Sequence, residues 1–310
     1  MSAGVRIAVD WGTSRLRAWL VGADGAVAGR VEAPAGVQSV APGGHAATLA
    51  AACGAWLSEH PAAPVAMAGM VGSRNSWVEA PYARAPCGLE EIAARCAAVP
   101  PSAELGDRAI FVVPGVDARG SDGAYDVMRG EETQALGAGV DDGLVCLPGT
   151  HGKWVAMERG RIAGFATFVT GEAYAALTGS FLGRLARSPD DAPAGEAAAQ
   201  RAGRLRGGLL RAAFQARAGA LGGDFESTAV RPMLSRLLVD SEIAGARDLF
   251  GAPRRVTLVA GAPLREVYAR ALAAAGVAVE TRDPDAAFLA GIARVAAARE
   301  ASRTPAGAGA

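Results

Sequence analysis

Two short turns carry the residue types best suited to chemistry. The first is Asp10-Trp11-Gly12-Thr13-Ser14, followed by Arg15 and Arg17. A Gly/Thr/Ser turn leaves backbone N–H groups and hydroxyls free to cradle phosphate oxygens. A carboxylate ahead of it can hold Mg2+, directly or through water. The second turn, Gly149-Thr150-His151-Gly152-Lys153, offers the same features plus a cation. Lys153 is the one lysine among 31 lysines and arginines. In a chain so biased toward arginine, a retained lysine marks a place for a compact ammonium rather than a planar guanidinium, unless it survives by chance. Two phosphate-gripping turns, a metal and a positioned base are nearly all that phosphoryl transfer requires. No GxxxxGK[ST] loop is present, which removes the commonest alternative nucleotide site.

Four further segments mix chemistry with turn residues. Met128-Arg129-Gly130-Glu131-Glu132-Thr133-Gln134 puts two acids at the start of an expected helix, where the dipole favours negative charge. One of them can be a plain cap while the other accepts a proton from an attacking hydroxyl. Arg129 beside them can grip a substrate carboxylate with two parallel hydrogen bonds, as could Arg17 or Arg74. Gly69-Met70-Val71-Gly72-Ser73-Arg74-Asn75-Ser76-Trp77 suits a polyhydroxylated ligand: Ser73 and Asn75 for its hydroxyls, Trp77 for its carbons. The alternative is a structural loop with Trp77 buried. Thr170-Gly171-Glu172 opens a helix and is either a substrate contact or a cap. Ala260-Gly261-Ala262-Pro263 turns from a strand into a helix, with a backbone bare enough for a flat base to lie against Gly261.

The elements that must position these residues repeat in order. In the first half, Val5–Val9, Leu16–Val21 and Val27–Val31 read as strands, with Asp24-Gly25 as a hairpin turn. A helix follows over His45–Ser58, then a strand over Val65–Ala68, a helix over Leu89–Ala97, a strand over Ala109–Val113 and a helix over Glu131–Gly139. The second half begins again with strands at Leu144–Leu147, Lys153–Met157 and Ile162–Phe168. Helices are expected over Glu172–Leu185, Glu196–Ala218 and Glu226–Phe250. A strand (Val256–Ala260), a helix (Leu264–Ala275), a strand (Val277–Glu280) and a helix (Ala286–Arg299) finish the chain. Ser188 to Gly195, with Pro189 and Pro193, reads as a linker between helices. Each half thus runs strand, polar turn, strand, hairpin, strand. That pattern predicts two α/β halves enclosing a ligand cleft at strand carboxyl ends.

Composition excludes several classes. Lys plus Arg and Asp plus Glu both number 31, and the lack of a basic excess argues against a nucleic-acid surface. No run of 18 apolar residues suggests a membrane span, and the start of the chain lacks a signal-peptide pattern. Cys53, Cys87, Cys96 and Cys146 are spaced unlike metal ligands and read as reduced thiols of a cytoplasmic protein.

Taken together, the chain resembles the sugar kinase/actin superfamily and, within it, the 2-keto-3-deoxygalactonate kinases (2-dehydro-3-deoxygalactonokinases). The blocks that carry the resemblance are Ile7 to Ser14 with Leu16-Arg17-Ala18-Trp19, Met67 to Ser73, Ala80-Pro81-Tyr82, Val113-Pro114-Gly115, Val127 to Gln134, Leu147 to Trp154, Thr170-Gly171-Glu172, Leu258 to Gly261 and Gly291-Ile292. The resemblance implies two actin-like (ribonuclease H-like) ATPase domains. They are expected at 1–140 and 141–300, with a helical insertion at about 186–250 and a flexible tail at 301–310. It also implies transfer of the ATP γ-phosphate to the terminal hydroxyl of 2-keto-3-deoxy-D-galactonate, with Mg2+ as cofactor. By position, Asp10 would manage the metal. Gly12, Thr13, Ser14, Gly149, Thr150 and His151 would serve the phosphates, Gly261 the adenosine, and Lys153 would be catalytic. Arg17, Gly69, Met70, Ser73, Asn75, Trp77, Arg129, Thr170 and Glu172 would serve the sugar acid. Glu131, Glu132 and Asp10 all remain candidates for the base. The adenosine turn lacks the glycine pair common in the superfamily. A kinase for another sugar acid, such as the gluconate epimer, is the nearest alternative; a phosphohydrolase or a non-enzymatic regulator of the same fold is more remote.

Overall fold

A computed structural model describes residues 4–120, 123–183, 195–203, 205 and 207–303. The chain divides into two compact units. The first contains Met1–Asp142, Val155–Phe165 and Arg282–Ala310, and the second Gly143–Trp154 and Ala166–Thr281.

The first unit is built on β1 (Arg6–Trp11), β2 (Leu16–Val21), β3 (Val27–Ala33), α1 (His45–Glu59), β4 (Val65–Ala68), β5 (Ala83–Arg84), α2 (Leu89–Ala94), β6 (Ala97–Ala98), β7 (Ile110–Val112), β8 (Val116–Arg119), β9 (Tyr125–Met128) and α3 (Glu131–Gly137). Its main sheet runs β3-β2-β1-β4-β7-β6. β1 lies antiparallel to β2 and parallel to β4. Ile7, Val9 and Trp11 on β1 are fully buried with Leu16, Met67 and Val112. Apolar burial of this kind, at about 25 cal/mol per Å2, is what holds such a sheet together. The outer strand β3 shows alternating exposure instead, as one-sided burial demands. A small second sheet, β5-β8-β9, was not expected. Its strands span two to four residues, too short for any alternation to show.

A five-stranded sheet joins β10 (Gly143–Leu147), β11 (Gly152–Glu158) and β12 (Arg161–Phe168) in the order β12-β11-β10-β13-β14. Here β13 is Arg255–Val259 and β14 is Ala278–Arg282. β10 pairs parallel with β13, as β1 does with β4. The order expected from sequence is therefore realised as two sheets of matching topology. The helices are α4 (Thr170–Gly179), α5 (Gly195–Ala202), α6 (Gly208–Gly222), α7 (Val230–Phe250) and α8 (Leu264–Ala274). The single helix expected over Glu196–Ala218 is two, because Gly207 and Gly208 adopt φ of 94° and 82°, which breaks a right-handed helix at little steric cost. Most of the expected linker, residues 188–194, lies outside the described residues, as do residues 304–310 of the expected tail. Residues 301–303 end a helix.

That helix, α9 (Pro284–Arg303), is the main departure from the expected boundary at residue 140. It belongs to the first unit. The reason is a backbone-to-backbone fit: a β-carbon on Gly291 would land on the Thr133 carbonyl, and one on Gly137 would land on the Ala287 carbonyl and Gly291 nitrogen. Two glycines let α3 and α9 touch where no side chain fits. Gly291→Ala is expected to cost at least the 1–3 kcal/mol typical of overpacking, at about that order of magnitude, read as a lowered urea midpoint.

Candidate active site

In the first unit, three chain segments meet at the carboxyl end of β1. Asp10 stands beside Arg17 across β2 and beside Ala68 across β4. Gly69 follows with φ of 98°; a β-carbon there would lie 2.8 Å from the Trp11 carbonyl and 3.3 Å from Asp10 Oδ1. Gly130 has φ of 110°, and its β-carbon would sit 3.3 Å from Gly69 Cα. Glycine at both positions brings the start of α3, with its two acids, up to the first turn. The turn itself is closed by Gly12 N donating to the Arg15 carbonyl at 2.9 Å. It is braced from behind, where Val37 N and Gln38 N donate to the carbonyls of Gly12 and Thr13. Gly36 packs so tightly there that any β-carbon would strike Thr13 and Ser14. No pattern in the sequence singled out Gly36.

The acids differ sharply in surroundings. Glu132 is fully buried. Gly130 N donates to its Oε2 at 2.7 Å and the Thr133 hydroxyl lies 3.0 Å from its Oε1. Burial first, then the charge of Glu131, pushes its carboxyl up to about 8. Glu131 is half-buried, accepts from Arg129 N at 3.1 Å, and its charge is felt by both Glu132 and Asp10. Asp10 is raised as well, by burial above all, against the opposing pull of Arg17. Arg17 joins Asp10 to Asp285 on α9, at 3.0 Å from the latter, and Arg30 adds a second contact to Asp285 at 3.3 Å. Arg17, expected to face the sugar acid, pairs with both carboxylates and so orients Asp10.

The high Glu132 value has a consequence for stability. Between about 4.5 and 8 the native state keeps a proton that the unfolded chain has lost. Folding then takes up a proton, so the stabilisation is complete below about 4.5 and declines as pH rises toward 8. Glu132→Gln mimics the protonated form and keeps an oxygen for the Gly130 backbone nitrogen. It is expected to flatten this decline, seen as a variant-minus-wild-type gain in denaturation midpoint that grows from pH 5 to pH 8.

Arg129 is held unlike any other cation nearby. Its Nη2 donates to the Ala80 carbonyl at 3.0 Å, and its guanidinium lies 4.4 Å from the centre of the Tyr82 ring. Its Nε and Nη1 are buried and have no hydrogen-bond partner among the described residues. Gly72 leaves room for Nη1, which a β-carbon would approach to 3.0 Å, and Gly115 leaves room for the Tyr82 ring. Buried polar groups are nearly always paired, so an open pair of donors on a planar cation calls for an anion. By contrast, Arg74 is exposed and paired with Glu79 at 3.3 Å. Trp77 stacks one face on His45, with centroids 5.9 Å apart, and meets Trp11 edge-on; it works as packing for the loop. Met70 and Ser73 are half-buried and Asn75 exposed on the same loop.

In the second unit, Gly149 and Thr150 follow β10, and α4 starts against them. Glu172 N donates to the Thr150 carbonyl at 3.0 Å, and a β-carbon on Gly171 would lie 2.5 Å from the Gly149 carbonyl. His151 Nε2 meets Glu172 Oε2 at 2.5 Å. Lys153 is buried in β11 and its Nζ donates to the His151 carbonyl at 2.9 Å. Glu172, expected with Thr170 among the sugar-acid contacts, packs against the second turn from the start of α4. Gly261 follows β13, whose last residues are buried, and is itself half-buried ahead of α8.

A family model described as 2-keto-3-deoxy-galactonokinase matches residues 10–295, which include every residue of both turns. The chain belongs to this family. It is 38% identical over 96% of its length to a probable 2-dehydro-3-deoxygalactonokinase of Rhizobium meliloti, covering 98% of that protein. It is 37% identical over 94% of its length to the 2-dehydro-3-deoxygalactonokinase of Escherichia coli, covering 97% of it. Among solved structures, a putative 2-dehydro-3-deoxygalactonokinase from Sinorhizobium meliloti matches 97% of this chain and all of its own, at 36% identity and a TM-score of 0.80. The fold is shared with component A of the (R)-2-hydroxyglutaryl-CoA dehydratase of Acidaminococcus fermentans, at 12% identity over 97% of this chain and a TM-score of 0.55. No helix among the described residues is long and apolar enough to cross a membrane. Among the same residues no three His, Cys, Asp or Glu side chains gather to hold an ion alone. Mg2+ in phosphoryl-transfer sites takes one or two carboxylates and completes its shell with phosphate oxygens and water. Asp10, with the charge of Glu131 near it, fits such a partial shell.

Proposed function

We propose that the chain transfers the γ-phosphoryl group of ATP to the terminal hydroxyl of 2-dehydro-3-deoxy-D-galactonate, giving the 6-phospho acid and ADP, in the cytoplasm. The observation that carries the acid part of this reading is Arg129, whose buried Nε and Nη1 await an anion next to the acids that begin α3. A carboxylate fits that edge with two parallel hydrogen bonds.

Roles for the other residues follow from their surroundings. Glu131, half-buried and linked to Asp10 through its charge, takes the proton of the acceptor hydroxyl. Glu132, sealed from solvent, shapes the start of α3. Asp10, oriented by Arg17 and Asp285, holds Mg2+ or its water; the ion supplies charge neutralisation on the phosphates when bound. Gly12, Thr13 and Ser14 in the first unit, and Gly149, Thr150, His151 and Lys153 in the second, offer donors to phosphate oxygens. Gly261 lies under the adenosine. The small-molecule acid is the partner; neither nucleic acid nor a membrane enters the reading.

The test is ADP release from ATP and Mg2+ with 2-dehydro-3-deoxygalactonate, its gluconate epimer, and no acceptor. Turnover chiefly with the galactonate acid is expected, since one inverted hydroxyl leaves a polar group of the site unpaired. Equal turnover of both epimers would move the substrate assignment, and ADP release without acceptor would replace the kinase by a phosphohydrolase.

A further inference from the structure

Glu242 lies on α7 and is 2% exposed. Both of its carboxylate oxygens are engaged: Trp154 Nε1 donates to Oε1 at 2.8 Å, and the Tyr268 hydroxyl donates to Oε2 at 2.6 Å. The Thr170 hydroxyl is hydrogen-bonded to it too. Gly152 closes the remaining side, where a β-carbon would lie 3.2 Å from Oε1. Each donor stands on a different element. Trp154 follows Lys153 on β11, directly after the second turn. Thr170 begins α4, whose Gly171 rests on Gly149 and Thr150. Tyr268 is on α8, the helix that leads away from Gly261. A carboxylate buried among neutral donors is a costly way to fill space, and an apolar side chain would pack there more cheaply. What a carboxylate adds is a pure acceptor with fixed directions, able to hold three donors in one geometry.

We propose that Glu242 is a positioning residue for the nucleotide. From α7 it locks the second phosphate turn, the start of α4 and the adenosine helix into one unit, so that phosphate and adenosine contacts are set together. This rests on the kinase reading. The substrate acid, which that reading assigns to the other unit, is untouched by it.

The test uses the full chain with Glu242→Gln and Tyr268→Phe. Affinity for a non-hydrolysable ATP analogue is measured by calorimetry, beside KM for ATP, KM for the sugar acid, and Tm. Expected is a tenfold or greater weakening of analogue binding in Glu242→Gln and a smaller one in Tyr268→Phe. KM for ATP should follow, while KM for the acid stays within twofold. Unchanged analogue affinity in variants whose Tm has fallen would reduce Glu242 to a packing residue and overturn the proposal. Should Glu242→Gln fail to fold, Tyr268→Phe, which removes one hydrogen bond at little loss of volume, decides the same question. Analogue binding needs no acceptor, so a wrong sugar assignment leaves the answer intact. A wild-type chain that binds no analogue at all would overturn both this proposal and the kinase reading.

Discussion

Glu131→Gln is expected to lower kcat by about 10^2- to 10^4-fold, the usual contribution of a positioned general base, while ATP affinity stays within a factor of about two. Gln keeps the size of the side chain and an oxygen for the Arg129 backbone nitrogen, so the start of α3 survives and only the proton acceptor is lost. The contrast with its neighbour sharpens the test. Glu132 is fully buried and its carboxyl is pushed up to about 8, so it holds its proton at neutral pH and has no path to an acceptor hydroxyl. Glu132→Gln should leave kcat within a few-fold of wild type. Single-turnover phosphoryl transfer with both variants separates chemistry from product release. If the two effects came out reversed, or if Asp10→Asn alone removed the chemical step with Glu131→Gln fully active, the base would have to be reassigned.

Arg129→Gln is expected to raise KM for the sugar acid by roughly 10- to 150-fold. This is the span that about 1.5–3 kcal/mol of charge-assisted hydrogen bonding translates into. KM for ATP should not move. Arg129→Lys should recover only part of the loss, because a point ammonium cannot fill both positions of a planar fork. The decisive comparison is between the acid and its uncharged amide. Wild type should prefer the acid strongly, and the preference should collapse in Arg129→Gln. A preference that persists in the variant would place the carboxylate elsewhere in the site.

Much of this was legible in the sequence, and what was not shares a physical cause. The two polar turns stood out because Gly, Thr and Ser cluster directly after short apolar runs, a purely local signal. The paired sheets were legible because the same run of elements occurs twice, and Arg129 because it adjoins two acids at an expected helix start. Partnerships across long stretches of chain leave no such trace. Arg17 meets Asp285 at a separation of 268 residues, and Trp154 meets Glu242 at 88. The pairing of Arg17 with α9 and the donors around Glu242 therefore did not read at all. The strands of the small sheet were too short to declare a period. The Gly207-Gly208 pair was visible, but a helical pattern on both sides of it outweighed the break that two left-handed residues impose.

The glycine contact between α3 and α9 also bears on how the protein is made. The acids that begin α3 leave the ribosome with the first half of the chain, but the helix that packs behind them, and the Asp285 that steadies Arg17, come about 150 residues later. At about 5–20 residues per second, the nascent chain carries its proton acceptor for roughly eight to thirty seconds before the backbone that seats it exists. Throughout that interval Gly137 on α3 has no Gly291 to meet, so the first unit closes only once the last helix has been made.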